Sequence, residues 1–232
     1  MDSSSYFIKI TKEDVERAAR QMGAGPSFSS TDRGLLDRLR RFWSSQVRRL
    51  EPWPFPTGPT SRPRRITLPR QPVRRIRLAR EDDDWQALAI YMVELINEDR
   101  RQYPEESGHA QPLRWHEQVA EVAKQHSLDM SRREFMAHVN PDGQTPFDRL
   151  RAARILFLCA GENVALMTTE GGMASIRASL EQIQCGLMNE PPNQQNHRGN
   201  ILNPAFTHVG IGIAYDGPGR LAVTQDFIQS WL

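Results

Sequence analysis

The sequence predicts an α+β layered domain over residues 81–232, carried behind a basic, helical N-terminal extension. Three observations predict it. Helical apolar patterns come first in that region, while the clearest strand pair, Val209–Tyr215 and Leu221–Ile228, comes last. Segregated helices and an antiparallel pair argue for layers, against the strand–helix alternation of a Rossmann fold. Charge divides the chain as well: residues 1–80 hold 18 Lys/Arg and 7 Asp/Glu, a net of +11, and residues 81–232 hold 12 and 21, a net of −9. Two such halves can attract each other. Finally, only 38% of the 232 residues are apolar, low for a chain packed from end to end, so part of it is expected outside the core.

Three segments follow: a basic helical extension (1–50), a Pro/Arg-rich linker (51–80) and the acidic domain (81–232). A short strand is expected around Tyr6-Phe7-Ile8-Lys9-Ile10. Thr11 and Asp14 form a helix-start pattern, in which the hydroxyl accepts from one backbone N–H and the carboxylate answers back. That helix runs to about Met22 and stops at Gly23. A second helix, 32–50, carries Leu35, Leu36, Leu39, Phe42, Trp43, Val47 and Leu50 on one stripe among six arginines. Its face suits docking on this domain or on a partner protein, or attachment to a lipid surface. No recognition motif accompanies it, so nucleic acid is not the expected partner. The linker holds seven prolines and a run of arginines, which favour extended backbone over a compact fold.

In the acidic domain, Glu81-Asp82-Asp83-Asp84 places negative charge where a helix N-terminus favours it. Trp85, Leu88, Met92, Leu95, Ile96 and Asp99 then share a face, and the helix reaches about Arg101. The next helix runs from His116 or Glu117 to about Arg132. Its narrow face of Val119, Ala120, Ala123, Ser127 and Met130 lets another element come close, and His126 is read as a packed histidine beside it. Pro141-Asp142-Gly143 marks a turn. Thr145, Pro146 and Asp148 then occupy N-cap, N1 and N3 of a further helix. Gly171-Gly172 breaks the chain ahead of a helix over 173–188, with Ile176, Leu180, Ile183 and Leu187 at helical spacing. Residues 189–204 read as a polar loop. In the hairpin after it, Gly210 and Gly212 permit close approach by a neighbour.

His138, Glu162 and His197 stand out chemically, each in a loop or at an element end. Two imidazoles and a carboxylate can hold a divalent ion with an open position, or relay a proton. Glu162 lies amid small and apolar neighbours, so it is either paired or functional, because an unpaired buried charge is costly. No Gly-x-Ser-x-Gly elbow is present, and Ser127 faces the core in this reading. Cys159 and Cys185 make no disulfide framework, though one bridge is open to them, and they suggest no cysteine-based metal site. A conventional signal-peptide pattern and a transmembrane run are both missing from the sequence. The expectation is a cytoplasmic chain or one delivered by a non-conventional route.

Several segments, in order, resemble the cysteine-rich secretory, antigen 5 and pathogenesis-related 1 superfamily (the CAP, or SCP-like, domain) in its compact bacterial form. They are Leu95–Arg100, Leu113-Arg114-Trp115, Ala123–Met130, His138–Gly143, Thr145–Leu150, Ala160–Ala165, His197–Pro204 and Val209–Gly212. The resemblance covers about residues 85–230. It implies an α-β-α sandwich with a central antiparallel sheet and a cleft of two histidines and up to two acids. His138 and His197 match the family histidines and Glu162 the first acid. The second acid has no clean match: Glu181 is a weak candidate, and Gln184 or Glu190 can fill the space. This chain has Leu187 where bacterial members carry Trp, and its approach to His197, from Asn189 to Asn196, is longer.

The resulting expectation is a non-enzymatic binding or interaction module. Its His/Glu cleft would suit a divalent metal such as zinc, and residues 1–80 would dock it to a protein partner or assembly. Two alternatives stand beside it: a metal-assisted, peptidase-like hydrolase using His138, Glu162 and His197, and a lipid-associated protein bound through helix 32–50.

Overall fold

The computed structural model describes residues 6–9, 81–193, 195–217 and 219–230. The helices expected at 11–22 and 32–50 and the linker at 51–80 lie outside the described residues. The elements run β1 (Tyr6–Lys9), α1 (Glu81–Gln102), β2 (Arg114–Trp115), α2 (Glu117–Arg133), α3 (Pro146–Ala152), β3 (Phe157–Thr168), α4 (Met173–Met188), α5 (His197–Leu202), β4 (His208–Tyr215) and β5 (Arg220–Ser230). Among the described residues the sheet has strand order β1-β3-β5-β4-β2. Its β1–β3, β3–β5 and β5–β4 pairs are antiparallel, and the two-residue β2 joins β4 in parallel. The first strand expected from the sequence is therefore part of this sheet, with Tyr6 opposite Glu162.

Strand alternation sorts the sheet into two faces. On one face lie α1, α4 and α5. Their Met92, Ile96, Leu180, Ile183 and Ile201 pack with Val209, Ile211, Val223 and Phe227 in one core cluster. The other face meets α2 and α3, where Val119, Phe147 and Leu150 pack on Ala160 and Ile228. Helix layers on both faces make an α-β-α sandwich. No helix among the described residues is long and apolar enough to cross a membrane.

Local sequence explains the layers. The small-residue face of α2 lies directly on Gly210 and Gly212 of β4, where an added Cβ would overlap the main chain at Ala120 and Ala123. Ser127 in that contact is buried but satisfied, donating to the Gly212 carbonyl at 3.0 Å and meeting the Thr224 hydroxyl at 2.8 Å. The α3 cap forms as expected. Thr145 Oγ1 accepts from the Asp148 N–H at 3.2 Å, and Asp148 Oδ2 accepts from the Thr145 N–H at 3.0 Å. Thr145→Ala is expected to cost about 1 kcal/mol, read as a lower denaturant midpoint at unchanged slope. The turn at 140–143 closes through Gly143 N–H to the Asn140 carbonyl at 2.8 Å, and Gly143 takes φ +78°.

Two segments differ from the sequence expectation. The run from Phe157 to Thr168 carries no clear helix or strand pattern, yet it forms the long strand β3. His197–Leu202, read as loop, forms the short helix α5, whose N-cap Asn196 accepts from the Gly199 N–H at 2.9 Å. Cys159 is buried in β3 and Cys185 exposed on α4, and no disulfide joins the two.

Candidate functional site

Neighbouring residues of β3 send side chains to opposite layers. Glu162 enters the α2/α3 layer and Asn163 the α4/α5 layer, and a polar cluster surrounds each.

Glu162 is fully buried. Its Oε1 lies 2.8 Å from His138 Nδ1, and its Oε2 accepts from Arg149 Nη2 at 2.5 Å. The same guanidinium donates through Nη1 to the carbonyls of His138 at 2.9 Å and Gln144 at 3.0 Å. His126 Nε2 stands 4.0 Å from Glu162 Oε2 and 3.0 Å from the Ala137 carbonyl. A carbonyl can only accept, so Nε2 carries the hydrogen. Burial first, and then the charge of Arg149, push His126 down to about 3, so the ring is neutral. Opposite Glu162 on β5 is Asp226, also buried, with no partner among other donors and with the Glu162 carboxyl beside it. Burial raises both carboxyls. Glu162 is pushed up to about 7 against the opposing pull of Arg149, and Asp226 rises further because Glu162 is beside it. Two carboxyls this close do not ionise together readily, so the pair retains a proton.

On the other face a chain of amides crosses the domain. Asn200 Nδ2 donates to Asn163 Oδ1 at 2.9 Å, and Asn163 Nδ2 donates to Gln225 Oε1 at 2.9 Å. Gln225 Nε2 donates to Gln184 Oε1 at 2.9 Å, and Gln184 Nε2 donates to Asp99 Oδ2 at 2.6 Å. Burial lifts Asp99 to about 6. Asn163 Nδ2 also donates to the His197 carbonyl at 3.2 Å, tying α5 to β3. His197 Nδ1 lies 2.6 Å from Glu190 Oε1, and its backbone N–H donates to Glu190 Oε2 at 2.9 Å. The segment is held from below by buried Arg100, which donates to the carbonyls of Ile201 at 2.8 Å and Asn203 at 3.0 Å. Arg198 adds a two-point pair with Glu106, at 2.9 and 2.7 Å.

The structure thus brings His138 to Glu162, while His197 is held by Glu190. Glu181, the weak fourth candidate, lies on α4 with Tyr91 Oη at 2.5 Å and Arg177 Nε at 3.6 Å. Of the two other acids or amides considered for that place, Glu190 meets the imidazole and Gln184 joins the amide chain. Among the described residues no group of three or more His, Cys, Asp or Glu side chains is placed to hold a metal ion. Both Glu162 oxygens are already engaged, one by a guanidinium, while His138, turned to the acid through Nδ1, has its second ring nitrogen outside that contact.

Sequence reasoning passed over Arg149 and Asp226. Asp226 follows Thr224 and Gln225 in a half-polar strand, which gives it no local signal. Arg149 had only its place one residue beyond a well-formed helix cap.

Fold and paired sites together define a CAP-type sandwich. The chain belongs to the cysteine-rich secretory protein family (CAP), whose family model matches residues 93–227. It is similar to two proteins of Bacillus subtilis (strain 168). The membrane protein YlbC is 33% identical over 119 residues, 51% of this chain and 29% of that protein. YkwD is 32% identical over 137 residues, 59% of this chain and 45% of that protein. Among solved structures it resembles an extracellular protein containing an SCP domain from Bacillus anthracis str. Ames. That match has 28% identity and a TM-score of 0.50, and covers 67% of this chain and 45% of the other. The chain therefore spans less than half the length of each of these relatives.

Proposed function

We propose that the chain is a non-enzymatic binding or interaction module, docked to a protein partner or larger assembly through its basic N-terminal extension. The observation that carries this reading is the engagement of both Glu162 oxygens. A general base needs a lone pair within reach of the proton it takes, and a water-activating metal needs ligands free to hold it. Here Glu162 is sealed in the interior, bonded by His138 and Arg149. Docking through residues 1–80 is supported by their net +11 against the −9 of the remainder, and by β1, which anchors the extension to β3.

One observation favours the hydrolase as a second reading. Glu190 grips both the ring and the backbone of His197, as a carboxylate does when it orients a catalytic imidazole. One experiment separates the two: the full chain incubated with a broad peptide panel, with and without Zn2+. No cleavage is expected in either arm. Cleavage that disappears in His197→Ala would replace the binding reading with the hydrolase. Sedimentation of the full chain with anionic liposomes would instead move the docking surface from protein to lipid.

A further inference from the structure

We infer that the outer edge of β3, over Cys159–Glu162, is a docking site for an extended peptide strand. The chain fills it in cis with its own N-terminus, which closes residues 10–80 into a loop anchored at both ends on the acidic domain. This holds whether or not the extension then meets a partner.

Sheet order puts this edge at the rim. β3 pairs with β5 along one side from Phe157 to Thr168, and among the described residues it meets only the four of β1 on the other. Without β1, a long strand would present a row of open N–H and C=O groups, which is what an extended peptide adds to. Burial along β3 falls away past β1. Cys159, Ala160, Gly161 and Glu162, the four residues opposite it, are all buried, whereas Ala165, Leu166 and Met167 farther along are half-exposed.

The occupant suits the edge. Tyr6-Phe7-Ile8-Lys9-Ile10 is rich in aromatic and β-branched residues and holds no proline, a composition that favours strand. Its register is antiparallel and unbroken, from Tyr6 opposite Glu162 to Lys9 opposite Cys159. The docked strand therefore reaches the position that carries the buried acid of the candidate site.

Two observations favour supply in cis. Residues 10–80 hold 17 Lys/Arg and 6 Asp/Glu, while residues 81–232 are net −9, so the loop is drawn to the domain that anchors it. Closing a loop of this length costs only about 0.6 kcal/mol more than closing one half as long. The tether also turns the encounter of a four-residue strand with its edge into an intramolecular one.

The test uses the full chain. Lys9→Cys sets a second thiol opposite Cys159, and paired positions on antiparallel strands stand about 4.5–5.5 Å apart, within disulfide reach. Oxidised glutathione is expected to join positions 9 and 159 within one chain, seen by peptide mapping of the monomer. Ile8→Cys, which the register sets opposite Ala160, is expected not to form that bond. Bonding by both variants alike would overturn the register, and a bond found only between chains would overturn the closed loop.

Phe7→Pro and Ile8→Pro test the site itself. Successive N–H groups of a strand point to opposite sides, so one proline deletes a donor to β3 and the other a donor on the far side. One variant is therefore expected to speed amide exchange at 159–162 by about tenfold or more and to bind a labelled peptide of residues 3–12. The other, like the wild type, is expected to do neither. Two variants that both exchange like the wild type, or an opened edge that ignores the peptide, would overturn the docking site. If both prolines prevent folding, the Lys9→Cys and Ile8→Cys pair decides the question.

Discussion

Gly212→Ala is expected to destabilise this domain by about 3 kcal/mol or more. One methyl group has this effect because of what it meets. A Cβ at Gly212 would overlap the Ala123 carbonyl group and the Lys124 nitrogen, and one at Gly210 would overlap Val119 and Ala120. These are main-chain atoms of a helix, which cannot turn aside as a flexible side chain can. The whole of α2 would have to lift from β4. Lifting it breaks the Ser127 bonds to Gly212 and Thr224 and draws His126 away from the Glu162 cluster. The same substitution at Gly186 has the opposite sign. That glycine lies in α4, exposed, with nothing within 4 Å of an added Cβ, so Gly186→Ala is expected to stabilise by about 0.5–1 kcal/mol. Urea unfolding of the two variants checks both signs. Equal effects would refute the close-approach account.

Elements whose signals are local were legible in the sequence. The helix over 173–188 showed its apolar period, broken cleanly by Gly171-Gly172, and α4 has those bounds. The Thr145-Pro146-Asp148 start was equally readable, because a capping box is made within four residues. The strand β3 was not. Both of its faces are covered, so it lacks the alternation that betrays a half-exposed strand. Its Gly161-Glu162-Asn163 centre is polar because each of those residues serves a distant partner. Gly161 leaves room for Asn200 Oδ1, which an added Cβ would approach to 2.7 Å. The six residues of α5 are too few for periodicity to register. The site divides in the same way. His138 and Glu162 could be picked out by residue type, but the acid that pairs with His197 sits in the longer approach segment, where this chain departs from the family pattern. Arg149 and Asp226 reach Glu162 only through tertiary packing, and nothing in their immediate neighbourhoods points to it.

Asp226→Asn is expected to flatten the fall of stability with rising pH, and the sign follows from proton linkage. Burial, followed by the charge of Glu162, raises Asp226 above its ordinary value of 3.8, and burial raises Glu162 from 4.5 to about 7. The folded chain therefore holds a proton that the unfolded chain has released. A raised acid contributes its full stability below the unfolded value and loses it as pH climbs through the folded one. The window here opens near pH 4 and extends through about 7. Within it, each retained proton costs about 1.4 kcal/mol per pH unit. Asparagine keeps the shape of a protonated Asp226 and has no proton to lose. It also removes the negative neighbour that Glu162 must tolerate, leaving Arg149 free to hold Glu162 ionised. The variant is therefore expected to lag or match the wild type at pH 5 and to surpass it by pH 8, with the curves crossing between. Denaturation free energies measured at one-unit intervals decide the matter. Parallel curves would mean that Asp226 and Glu162 share no proton, and that the charge of Arg149 is balanced elsewhere.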